Sequence, residues 1–246
     1  MKTVRLRQQL AFTLIELITV IAIISILMAL LFPAIAGAKE AARRTKAQTI
    51  LKDIVRACKE YTVDYGKFPP LPEAKEDATS GSGKDKTTSS YYSYGPKTAL
   101  NGKEGDTVFK LDNQELFNIL RAIEGGKNVE HKYNKRQQKY FEQPKASDPK
   151  NPREGFCDGK EFDTKVAGQL MDPWGTQYAI VLDADGDEEL DLKTFYTDLS
   201  DKKDAVRFSA VAFSLGKDGK RGGKGYAEKT RKENSKEAPD DLFSWQ

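Results

Sequence analysis

Hydrophobic positions along the chain fall into three regimes. From Phe12 to Phe32 the sequence FTLIELITVIAIISILMALLF is apolar in every direction and carries one charge, Glu16. About 20 such residues span a bilayer. Past Pro33 the apolar residues thin to a stripe: Ala47, Leu51, Ile54, Val55, Cys58, Tyr61, Thr62 and Tyr65 recur three and four apart, the spacing of one helix face. Gly66 is a C-cap candidate, and Phe68-Pro69-Pro70 cannot continue the helix. The pattern predicts one helix over about 13–65, kinked near Pro33, with its second half packed on a sheet.

Beyond residue 70 the pattern changes again. Residues 73–106 are rich in Gly, Ser, Thr, Lys and Asp and read as a flexible loop. Residues 113–124 (NQELFNILRAIE) predict a short amphipathic helix, with Asp112 or Asn113 as N-cap and Gly125-Gly126 as stop. Residues 127–166 are polar. Two β-like runs follow, Gln177–Leu182 and Val206–Phe213, with a short strand between them near Thr194–Thr197. The fold class is α+β: a long N-terminal, membrane-spanning helix packed on a small antiparallel C-terminal sheet.

Composition sharpens the N-terminus. Overall, 38% hydrophobic and 31% charged residues describe a mostly globular chain of 246 residues. The net charge of +3 is located in Lys2, Arg5 and Arg7 of residues 1–11; without them 37 basic and 37 acidic residues remain. That balance argues against nucleic acid held by bulk charge. The run KYNKRQQKYF (132–141) mixes basic and aromatic residues as a nucleic-acid surface can, but a solvated loop is the simpler reading. His131 has no visible partner. Cys58 and Cys157 do not make a disulfide framework; a buried thiol at Cys58 or a single bridge are the alternatives. No nucleophile–base set or phosphate loop is present, so an enzyme is not expected.

An ordinary signal peptide has a shorter apolar region and a small-residue cut site after it, and Ala34-Ile35-Ala36 offers one. A secreted or anchored periplasmic binding domain is therefore the rival from another class. Glu16 speaks against it. A carboxylate costs roughly 2.5–3.5 kcal/mol at mid-membrane and less near the interface, and a disposable signal gains nothing from it. If the chain is cut after Ala11, Phe12 bears a free amine one helical turn from Glu16. The carboxylate can then pair with the amine of a neighbouring copy.

With its basic leader, Phe12, Glu16 and Pro33 in register, LAFTLIELITVIAIISIL resembles the class III signal of type IV pilins and type II secretion pseudopilins. The resemblance implies cleavage before Phe12 by a prepilin peptidase, methylation of the new amine, Glu16 as the fifth mature residue and a helix kink at Pro33. It divides the chain into a leader (1–11), a transmembrane and assembly helix (12–33) and a periplasmic globular domain (34–246) with a loop-rich insertion at 73–166. Lys2, Arg5 and Arg7 stay cytoplasmic by the positive-inside rule, which gives a single-pass inner-membrane protein. Asp172-Pro173-Trp174-Gly175 with Tyr178, and Phe213-Ser214-Leu215-Gly216-Lys217-Asp218-Gly219, narrow the resemblance to the major pseudopilin. There the partners are copies of itself, minor pseudopilins and the inner-membrane assembly platform, and the fibre assists protein export. A type IV pilin for adhesion or motility is the alternative.

That family also implies calcium, held by Asp218, Asp240 and Asp241 with the Leu215 carbonyl; a Gly-rich loop without metal is the competing reading. A second acidic stretch places Asp183, Asp185, Asp187 and Asp191 at positions 1, 3, 5 and 9 of an EF-hand-like loop. Its Gly falls at position 4 and Thr194 at position 12, so an acidic β-turn is the favoured reading.

Overall fold

A computed structural model describes residues 13–80, 87–96, 109–188, 190, 208–217, 219 and 241–244. Helix α1 runs from Leu14 to Tyr65 and passes through Pro33 without interruption. The chain divides into two compact units, Met1–Arg43 and Arg44–Gln246. In the first, every described residue after Thr13 is helical, and the large apolar side chains from Leu14 to Ile35 are exposed. This stretch is long and apolar enough to cross a membrane, with a mean hydropathy of 2.8 over its best window.

In the second unit, α1 turns a stripe inward. Ala47, Ile50, Leu51, Ile54, Ala57, Cys58 and Tyr61 are buried; Ile50 and Ala57 widen the expected stripe, while Val55, Thr62 and Tyr65 sit at its margin. Gly66 ends the helix as expected: it takes φ 72° and its N–H bonds the Thr62 carbonyl at 2.7 Å, a left-handed position that suits glycine.

The sheet contains β1 (Lys75–Ser80), β2 (Thr87–Tyr94), β5 (Ala179–Asp183), β6 (Ala210–Ser214) and β7 (Leu242–Phe243) in the order β1-β2-β5-β6-β7, every neighbour antiparallel. Side chains alternate between its faces. Tyr94, Ile180, Leu182, Ala210, Ala212 and Leu242 join the cluster formed by α1. Tyr91, Ala179, Val181, Val211, Phe213 and Phe243 form a second cluster with Phe109, Leu190 and Leu215. Both β5 and β6 are therefore buried along their whole length. A two-stranded ladder of β3 (Gly155–Phe156) and β4 (Leu170–Met171) lies apart.

Two expectations need correction. Residues 73–106 are not a single loop, because β1 and β2 pair from Lys75↔Tyr92 to Ser80↔Thr87 and β2 pairs with β5. Averaging composition over the window hid the alternation of Tyr91, Tyr92 and Tyr94, which serves both clusters. The helix expected over 113–124 is α2, Asn113–Leu120. It stops before Gly125 because Ala122 turns left-handed at φ 55°. Asp112 occupies the N-cap position without a side-chain bond. Asn113 is instead buried against the sheet: Nδ2 donates to the Leu170 and Tyr178 carbonyls at 2.9 and 3.1 Å, and Oδ1 accepts from Leu170 N–H at 3.1 Å. The segment near Thr194–Thr197 lies outside the described residues.

Candidate functional site

Three places carry the residues that the sequence singles out. The first joins the two C-terminal motifs. Asp172 is fully buried, and its Oδ1 accepts the N–H groups of Trp174, Gly175 and Thr176 at 2.8–2.9 Å. Its Oδ2 accepts the Ser214 hydroxyl at 2.6 Å. DPWG is thus a carboxylate-capped turn tied by one hydrogen bond to the first residue of SLGKDG. Burial pushes the Asp172 carboxyl above its ordinary value, and the bonds from Ser214, Thr176, Trp174 and Gly175 offset only part of that.

The Ser214↔Leu242 pairing of β6 with β7 puts Leu215 and Asp241 one step further along the same register. Both are buried, and a buried carboxylate is stable when paired or bound to a cation. So the structure brings together two of the four residues proposed for calcium. Asp218 and Asp240 lie outside the described residues.

The second place is the acidic turn after β5. Carboxylate oxygens of Asp183, Asp185 and Asp187 lie within 4.8 Å of one another; Asp191 lies outside the described residues. Asp183 is buried and accepts the N–H groups of Asp185, Gly186 and Glu188 at 3.0, 2.7 and 2.8 Å. Asp185 accepts Ser90 N–H at 2.8 Å. These bonds make Asp183 the internal cap of the bend at 184–188, and burial raises its pKa against them.

The third is the start of α1. Thr13 precedes the helix, and Glu16 Oε2 accepts both Thr13 N–H at 2.9 Å and the Thr13 hydroxyl at 2.7 Å. Glu16 N–H donates back to Thr13 Oγ1 at 3.3 Å. This is a capping box, in which a Thr and a Glu three residues apart satisfy each other's helix-end donors. Sequence reading picked out Glu16 for its charge and missed Thr13, although T-x-x-E was there to be read. The two other hydroxyls of the apolar run bond helix carbonyls, Thr19 to Glu16 and Ser25 to Ile21, which suits a segment without water. Ala11 and Phe12 lie outside the described residues.

Residues 6–32 match the prokaryotic N-terminal methylation motif. The chain carries a type IV pilin-like prepilin signal. Comparison with curated proteins and with solved structures finds no match. The prepilin signal covers Glu16 and the apolar run of α1 and stops just before Pro33.

The remaining candidates of this prepilin-type chain resolve differently. In 132–141 the aromatic residues turn inward: Phe141 is buried, and Tyr133 and Tyr140 pack against the main core. Lys132, Lys135, Arg136 and Lys139 are exposed. A stacking platform for bases is therefore absent from this run. Cys58 and Cys157 are free thiols buried in separate clusters, so the single-bridge alternative does not describe this fold. Burial pushes Cys58 up to about 12 and, with the nearby Asp158 charge, Cys157 up to about 11.

Proposed function

We propose that this protein is a structural subunit that a prepilin peptidase cuts after Ala11 and methylates on Phe12, and that polymerises through its N-terminal helix. On this reading residues 1–11 are the leader, 12–33 the transmembrane and assembly helix, and 34–246 the periplasmic domain of a single-pass inner-membrane protein. The supporting observation is an apolar helix with no buried side chain from Leu14 to Ile35, headed by a carboxylate fixed at its first turn. Lipid tails and protein are equally apolar, so association gains come from packing and from pairing polar groups. Glu16 meets a neighbour's Phe12 amine, and Pro33 lets the helix bend.

Two measurements test this reading. The mature N-terminus, read by mass spectrometry, is methyl-Phe12; a start near residue 37 overturns the proposal in favour of an ordinary signal. Glu16→Ala leaves cleavage intact and abolishes fibres; normal assembly of that variant removes the proposed role of Glu16.

Within this class the proposal is a major-pseudopilin-like subunit of a type II secretion pseudopilus, suggested by the DPWG and SLGKDG motifs that the Asp172–Ser214 bond joins; the alternative is a type IV pilin for adhesion or motility. Its partners are further copies, minor pseudopilins and the inner-membrane assembly platform. Loss of protein export on gene deletion, with surface motility intact, is the expected outcome; the reverse assigns it to a pilus.

The same reading puts calcium at Leu215, Asp218, Asp240 and Asp241, where it would cross-link the end of β6 to the end of β7. Millimolar calcium raises the melting temperature, and Asp218→Ala removes the rise. No shift at all sinks the site, and a shift abolished by Asp185→Ala instead moves it to Asp183, Asp185, Asp187 and Asp191.

A further inference from the structure

Two charged loops of opposite sign flank the last turns of α1. On one side, residues 128–140 pack against Tyr61, Asp64 and Tyr65. The Tyr65 hydroxyl donates to Asn134 Oδ1 at 3.1 Å, the Tyr140 hydroxyl to Asp64 at 2.6 Å, and Arg136 pairs with Asp64 at 2.8 Å. On the other side an open groove of about 620 Å³ is lined by Lys59, Thr62 and Val63 of α1 and by Asp183, Asp185 and Glu188 of the acidic turn. At about 100° per residue, the positions 61, 64 and 65 point about 160° away from 59, 62 and 63. The two loops therefore sit on opposite faces of one helix end.

Both loops are held in conformations that a chain does not adopt freely. Glu130, His131 and Gln137 have φ of 53°, 50° and 52°, and left-handed non-glycine residues cost of order 1–3 kcal/mol each unless the surroundings impose them. Here two buried asparagines impose them. Asn134 Nδ2 donates to the Ile119 and Gln138 carbonyls at 2.7 and 2.8 Å, and Asn128 takes the Tyr133 N–H on Oδ1 at 3.1 Å. The acidic turn is fixed by Asp183 and holds Glu188 at φ 58°. What this strain achieves is the presentation of exposed charge. Among the described residues Lys132 and Lys135 have no ion-pair partner, while Lys139 has Glu142 at 3.3 Å. Opposite them Asp185 and Glu188 are exposed in the groove that Val63, an apolar side chain 87% exposed, also lines, and Asp187 between them in sequence is exposed as well.

We propose that the Lys132–Lys139 rim of one subunit docks on the Asp185–Glu188 rim of the next. The occupant is a second copy because one chain carries both signs at fixed positions on opposite faces. Such a head-to-tail contact, whose two halves differ, cannot close as a two-fold dimer and propagates from copy to copy, as an open helical filament where the rotation does not close a ring. Lys59 of α1 and Lys67 just beyond its end line the other side of the groove and confine the contact to the acidic rim. The inference rests on the polymer reading above and adds the contact that sets the spacing of the globular domains.

The test is a cysteine pair in the full chain, expressed with its processing and assembly machinery. Lys135→Cys with Glu188→Cys, oxidised in membranes, yields dimers, trimers and higher multimers. Neither single variant does, since Cys58 and Cys157 are buried. Sedimentable fibres are measured in the same cells. Fibres without multimers, or multimers that stop at the dimer, overturn this contact and leave the polymer reading standing. No fibres from the unmodified chain overturn the polymer reading and this contact with it. As a second measurement, Lys132→Glu with Lys135→Glu lowers the fibre yield about tenfold through like-charge repulsion, and adding Asp187→Lys with Glu188→Lys restores it. Failure to restore, in variants that melt like the parent, also counts against the contact.

Discussion

Asp172 is a carboxylate surrounded by four donors and no water-exposed surface. Asp172→Ala strands the Trp174 and Thr176 N–H groups and the Ser214 hydroxyl, while Gly175 N–H keeps the Asp172 carbonyl at 3.2 Å; it costs about 3 kcal/mol, readable by urea denaturation. Its raised pKa fixes the sign of a pH effect. The folded chain holds this proton to a higher pH than the unfolded chain does. Between the ordinary aspartate value and the raised one, stability therefore falls as pH rises. Asp172→Asn keeps an acceptor for the turn and removes that component, so its stability is flatter over this window. An unchanged pH profile would show that the carboxyl titrates normally. At this scale the sequence was informative wherever a residue type has one dominant use. Glu16 in an apolar run and Gly66 after a stripe were legible. Thr13 was not, because its hydroxyl matters only through Glu16, whose charge is the stronger signal.

At the scale of elements, α1 was legible almost to the residue, since its periodicity persists for many turns and its end carries a left-handed glycine. The strands were less so. β5 and β6 are buried on both faces, so their apolar runs lack the alternation that marks a strand's register. The β1–β2 hairpin was missed because its tyrosines stand among Ser and Thr, which composition alone assigns to loops. α2 ends early because its last turn is claimed by tertiary contacts: Asn128 Nδ2 bonds the Asn118 and Ile123 carbonyls at 3.3 and 3.0 Å. The docking of α2 through Asn113 gives an element-scale prediction. Asn113→Ala removes three buried hydrogen bonds, though the Leu170 carbonyl keeps the Tyr178 N–H at 3.3 Å, a loss of about 2–4 kcal/mol in equilibrium unfolding. A loss near zero would mean that α2 is held by Leu116, Phe117 and Leu120 alone.

For the whole molecule, the sequence separates what it is attached by from what it presents. The attachment is written in a contiguous stretch, and residues 6–32 match a known motif for that reason. The presentation is not contiguous. The Asp172–Ser214 bond spans 42 positions, and the two rims beside α1 are some fifty residues apart in sequence. Only folding makes either one a site. The proposed calcium site and the proposed subunit contact are therefore both sites of the folded domain, and their tests need the full chain.

The buried thiols have a consequence for biogenesis. Cys58 and Cys157 lie in different clusters and are unpaired in the fold. On the proposed topology the globular domain folds on the far side of the inner membrane, in an oxidising compartment where exposed thiols form disulfides. During that interval both cysteines are accessible, and a bridge between them would forbid the native arrangement. On that topology the packing of Cys58 into the core must outrun oxidation, a race that the finished structure no longer displays.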